Sequence, residues 1–110
     1  MFIQFSEYDL LELFESEPIS ISDTEAGMFI YSKTDIQGLK LVLTVSIYEQ
    51  ECLLSLNHES YSIPIINLTL KDVTQISKNN DKLNFQFENG EKNIDVLFKP
   101  NFAFSNLVNI

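Results

Sequence analysis

One histidine, one cysteine and one close pair of glutamates are the side chains here that could act on a bond. His58 lies in Asn57-His58-Glu59-Ser60. A general base or a metal ligand needs partners to orient it, and the chain holds no second His and no second Cys to complete such a site. His58 therefore reads as a solvated loop histidine. Cys52 shares an alternating face with Leu54 and Leu56 and reads as a small buried hydrophobe, because a thiol without a nearby cation stays protonated and inert. Glu49 and Glu51, two residues apart beside a turn, could approach each other for acid–base work, although exposed turn acids more often serve solubility. All seven bases are lysine, so the bidentate arginine fork for phosphate or carboxylate is missing. Gly27, Gly38 and Gly90 are too dispersed to build a phosphate-cradling loop, and no segment has EF-hand spacing. These side chains predict a protein that is not an enzyme and needs neither cofactor nor metal.

Charge carries more information. The first 32 residues hold seven acids and no base: Glu7, Asp9, Glu12, Glu15, Glu17, Asp23 and Glu25. Through residue 60 the count is eleven acids against Lys33 and Lys40, and residues 61–110 balance five acids with five lysines, so the net charge of −9 sits in the N-terminal half. Such a field selects partners and sets association rates rather than fold. It favours a basic protein and disfavours direct contact with nucleic acid or an anionic membrane. Glu7 and Asp9 suit the positive end of a helix dipole, whereas Glu15 and Glu17 fall where acids oppose it, and no lysine stands four residues beyond Glu7 or Asp9. Stability alone would not select that pattern, so the acidic stripe is the candidate docking face. Tyr8, Tyr31, Tyr48 and Tyr61 are candidate anchors within a charged rim, with Tyr8 and Tyr48 the preferred ones.

The elements that must carry these residues are short. Ser6 is a good N-cap before Glu7-Tyr8-Asp9, with Leu10, Leu11 and Phe14 on one side and Asp9, Glu12 and Glu15 on the other, so a helix over 7–15 is expected, stopped by Pro18. The remainder reads as strand. A short run follows Gly27, and Leu39 to Ile47 alternate with Lys40 to Tyr48 in the longest period-2 run. Cys52, Leu54 and Leu56 continue after a turn near Gln50. Pro64 makes 61–66 an edge strand or bulge, and 68–76 is expected to be one strand repaired by a bulge near Asp72. Residues 82–99 form a hairpin with Asn89-Gly90 as a type I′ turn, and Phe102 and Phe104 cover one end of the core. The fold class is α+β: one short N-terminal helix, then a mainly antiparallel sheet or small sandwich of seven to eight strands.

At 110 residues, 45% apolar and 12% aromatic, the chain can bury one core, and 1–110 is expected to be a single globular domain. The N-terminus lacks the basic and apolar regions of a secretory signal, no apolar run approaches a membrane span, and a lone cysteine forms no internal disulfide. A cytoplasmic location is expected.

A small, acidic, β-rich chain without catalytic groups resembles the immunity proteins of bacterial polymorphic-toxin and contact-dependent growth inhibition systems. The residues that carry the likeness are the opening Phe5-Ser6-Glu7-Tyr8-Asp9-Leu10-Leu11, the segment Asp72-Val73-Thr74-Gln75-Ile76, and the Leu83–Phe98 hairpin closing on Lys99-Pro100-Asn101-Phe102. The likeness is one of layout and spans most of the chain; those families share no invariant motif, so no site residue transfers by position. It implies a monomeric, stoichiometric 1:1 inhibitor of a cognate toxin domain, commonly a basic nuclease. A type III secretion-type chaperone is the alternative, although residues 100–110 lack the helical period its C-terminal helix would need. A DNA mimic would need acids over a long face, which the neutral second half does not offer, and a small enzyme would need His58 beside a carboxylate in a pocket.

Overall fold

Alternation of apolar and polar residues along Leu39–Ser46 builds the central strand of the larger of two sheets in the computed structural model, which describes residues 2–20, 27–88, 90 and 93–106. Helix α1 (Glu7–Phe14) is followed by β1 (Ile19–Ser20), β2 (Met28–Thr34), β3 (Leu39–Ser46), β4 (Glu51–His58) and β5 (Ile66–Lys71), which pair antiparallel in that order. Strands β6 (Val73–Asn79), β7 (Lys82–Phe87), β8 (Asn93–Leu97) and β9 (Ala103–Ser105) form a second antiparallel sheet in sequence order. One short helix and two antiparallel sheets make the α+β fold that the sequence predicts, the two-residue β1 being the smallest strand.

Register converts the alternation into apolar rows. Tyr31 faces Leu43, Leu43 faces Leu54 and Leu54 faces Leu68, while Phe29, Val45, Cys52 and Leu70 form the neighbouring row. In the second sheet Ile76, Phe85 and Ile94 make the equivalent row, beside Leu83 and Val96. These rows and the helix residues Leu10, Leu13 and Phe14 merge into one core. Each fully buried Leu, Val, Ile or Phe side chain contributes roughly 1.5–3 kcal/mol relative to exposure.

The helix starts where its cap is. Ser6 has extended backbone and its Oγ accepts from the Asp9 N–H at 3.3 Å. It ends at Glu15, which is left-handed at φ 59 and closes the last turn through its own N–H to the Leu11 carbonyl. Its buried face is Leu10, Leu13 and Phe14, the i, i+3, i+4 set, and not the Leu10, Leu11 and Phe14 set expected: Leu11 points outward. Phe14 lies between the sheets, its ring 5.5 Å from Tyr31 in β2 and 5.0 Å from Phe98 beyond β8. Just before the helix, Gln4 bridges to β6, donating to the Thr74 carbonyl and accepting from the Ile76 N–H, both at 2.9 Å.

Two local expectations change. Residues 68–76 are not one bulged strand but parts of two strands in different sheets, with Asp72 at φ 61 as the pivot between them. Its carbonyl accepts from the Glu88 N–H at 2.9 Å, and the bulge lies between Val73 and Gln75. Residues 61–65 are not a strand at all: β5 begins at Ile66, after Pro64, which has no N–H to offer a ladder. The β7–β8 hairpin is present as expected, with Gln86 opposite Asn93 the last described pair on its turn side. Asn89 lies outside the described residues.

Candidate functional site

The acidic stripe occupies the outer face of α1 and the segment after it, and two strand lysines divide it. Lys33, from β2, hydrogen-bonds the Glu15 carboxylate, and the lysine beside it holds that carboxyl below its usual range, with Lys99 adding a smaller attraction. Lys78, from β6, stands 3.9 Å from Glu12. Among the described residues these are the ion pairs of the stripe, so its C-terminal half is partly neutralised by one lysine from each sheet. Glu7 and Glu17 act elsewhere: burial pushes the phenol of Tyr31 up to about 12, and both carboxylates add to that rise. Asp23 and Glu25 lie outside the described residues.

Tyr8 is exposed on the first turn of α1 and Leu11, one turn on, stands partly exposed beside it. Sequence reasoning assigned Leu11 to the core. Together they place an exposed apolar stripe among Glu7, Glu12 and Glu15. Tyr31 is no anchor: it is buried in the core. Tyr48 is exposed, but not on the polar phase of the long strand as expected, because β3 ends at Ser46 and Tyr48 belongs to the β3–β4 turn. There it packs edge-on against exposed Phe2, with centroids 5.0 Å apart, over Gly27. Gly27 has φ +63, and a Cβ on it would stand 2.7 Å from Tyr48 Cε2, so any other residue there is strained and must displace that ring. Phe2 carried no periodic signal in the sequence.

Of the residues with chemical potential, His58 and Cys52 are committed to structure. His58 is the last residue of β4 and not a loop residue. Its Nε2 donates to the Gln37 carbonyl at 2.9 Å and its Nδ1 accepts from the Ser60 N–H at 3.1 Å, a pattern that assigns the Nε2–H tautomer. Cys52 is buried beside Leu54 and Leu56 as expected, and burial, aided by Glu51, pushes its thiol up to about 12. Glu49 is exposed in the turn, while Glu51 opens β4 opposite Ser46 and Lys71. Among the described residues no group of three His, Cys, Asp or Glu side chains is arranged to hold a metal, and no helix is long and apolar enough to cross a membrane. A cleft of about 290 Å³ opens between the helix end and the β6–β7 turn, where Glu12, Lys78, Asp81 and Lys99 ring Leu13 and Phe98. Its lysines and acids come from distant parts of the chain, so no local pattern could have revealed it.

No family model matches this sequence, and no curated protein matches it. The fold has a solved counterpart. It is a chain of the contact-dependent growth inhibition toxin–immunity protein complex from Klebsiella pneumoniae 342, matched with a TM-score of 0.74 at 21% identity over 94% of this chain and 96% of that one. The resemblance expected from the sequence holds at the level of fold, across nearly the whole of both chains.

Proposed function

We propose that this chain is an immunity protein, a single-domain, cytoplasmic, non-enzymatic monomer that neutralises a cognate bacterial toxin domain by direct 1:1 binding through its acidic surface. The observation that carries the reading is the shared fold with a chain of a toxin–immunity protein complex. Either role in such a complex could have that fold, and charge selects between them. A toxin that acts on nucleic acid needs a basic cleft, whereas a net charge of −9 with no arginine suits the inhibitor of one. The structural use of both His58 ring nitrogens and the burial of Cys52 support the same side of the pairing. The basic nuclease is the toxin class that gains most from this surface, because acidic steering raises association rates by ~10–10³.

Steering is supplied by Glu7, Asp9, Glu12, Glu15 and Glu17, with Tyr8 as the anchor on the same helix; Asp23, Glu25 and Tyr48 extend the proposed surface. The test is co-expression with the C-terminal domain of the large protein encoded immediately upstream, reading growth and co-purification at about 0.15 M and about 1 M salt, between which the Debye length falls from ~8 to ~3 Å. Growth rescue with a 1:1 complex that weakens at high salt is the expected result. Toxicity without rescue, or no complex at either salt, overturns the reading.

A further inference from the structure

Two loops at one end of the five-stranded sheet hold four large apolar side chains in solvent. Residues 35–38 join β2 to β3 and residues 59–65 join β4 to β5, so both loops leave the sheet at the same end. His58 latches them: its Nε2 holds the Gln37 carbonyl of the first loop, its Nδ1 holds the Ser60 N–H of the second, and its ring lies 5.4 Å from that of Tyr61. The first loop is tightened further by Asp35, whose Oδ1 accepts from the Gln37 and Leu39 N–H groups at 2.9 Å each. Gly38, at φ +84, passes beneath the histidine where a Cβ would stand 3.2 Å from Nε2. On this braced platform Ile36 is fully exposed, Ile63 is 74% exposed and Tyr61 62%, with Ile65 beside them.

Single exposed apolar residues are ordinary, but a cluster on two hydrogen-bonded loops is a contact surface without its partner. Pre-ordered loops lose little conformational entropy on binding, which is how a few aliphatic and aromatic side chains come to dominate an interface. We propose that the Ile36, Tyr61, Ile63 and Ile65 platform is the apolar anchor of the partner interface, and that its occupant is a protein presenting an apolar socket inside a cationic rim. This inference rests on the proposed immunity function and names a second contact of that same partner. Charge selects the occupant: the only charged residues in the two loops are Asp35 and Glu59, both acids. A second copy of this chain would bring those acids, and a net −9, against their own kind, and an anionic lipid surface would be repelled in the same way.

The test compares the wild type with the double variant Ile36→Ser/Ile63→Ser, both exposed positions whose replacement leaves thermal unfolding unchanged. The probe is the purified C-terminal domain of the large protein encoded immediately upstream, with binding followed kinetically and the free protein followed by sedimentation over a concentration series. The expected result is wild-type binding and a loss of ~10-fold or more in the variant, carried by faster dissociation with the salt dependence retained. Equal binding by both proteins overturns the platform while leaving the immunity reading intact. Failure of the wild type to bind overturns that reading first, and the platform with it, before any variant is compared. Wild-type self-association abolished by the double variant makes the occupant a second copy and overturns the cationic partner.

Discussion

Lys33, near the C-terminal end of β2, reaches both the Leu13 carbonyl at the end of α1, at 3.5 Å, and the carboxylate of Glu15 that caps it. The last turn of the helix contains no base of its own, so the cation that complements its negative end arrives from a strand. This answers the apparent cost of an acid at that terminus. The pair is exposed on the Glu15 side, and its effect is local.

The Glu15 carboxyl titrates below the usual carboxylate range, and Lys33→Met returns it towards that range in a carboxyl-detected NMR titration. The sign follows from the lowered folded value: the pair's contribution is complete above the ordinary value of 4.5 and is lost as pH falls through the lower, folded one. No change in the Glu15 titration on Lys33→Met would remove the lysine as the cause.

Ser46→Ala stabilises the protein. The Ser46 hydroxyl is buried at the end of β3 with no hydrogen-bond partner among the described residues, so its removal relieves a desolvation cost of about 1 kcal/mol or more. A denaturant midpoint that rises without a change in slope is the expected outcome; a lower midpoint means the hydroxyl is satisfied in solution.

Phe14→Ala costs ~3–5 kcal/mol, because the ring fills the space between Tyr31 and Phe98 and its loss leaves a cavity where helix and sheets meet. Chemical denaturation measures this. A cost near 1 kcal/mol would mean that Tyr31 and Phe98 collapse into the gap.

Stability declines at alkaline pH from two buried acids. The Cys52 thiol and the Tyr31 phenol are both raised to about 12 in the folded chain, from 9.0 and 10.0. Raised values favour the neutral folded form, so each contribution is whole below its unfolded value and is lost as pH rises towards about 12. Each group contributes at most ~1.4 kcal/mol per pH unit to that slope. Tyr31→Phe and Cys52→Ala should flatten the decline, and a decline unchanged in both variants would assign it to other groups.

Glu7→Lys/Glu17→Lys slows association with the partner domain by ~10-fold or more at low salt and leaves the dissociation rate nearly unchanged. Glu7 and Glu17 act together on Tyr31, whereas Glu12 and Glu15 are partly answered by Lys78 and Lys33. Stopped-flow mixing at two salt concentrations checks it; an unchanged association rate removes these acids from the docking face.

Sequence by itself determined what is local. Period-2 alternation marked β3, β4, β7 and β8, Ser6 marked the helix start, and the one-sided charge was plain from composition, because a strand face, a cap and a charge sum depend on residues a few positions apart or on none. The tertiary structure decided what depends on register and packing. It sent the apolar run at 68–76 into two sheets through Asp72, and buried Tyr31 while leaving Tyr8 exposed. It set Lys33 against Glu15 across 18 residues, and drew Gln37 and His58 together across 21, tying the β2–β3 loop to the end of β4. A tyrosine or an isoleucine satisfies the same local pattern on either face of a strand or at its end. Only the stacking of one sheet on another determines which face loses its water.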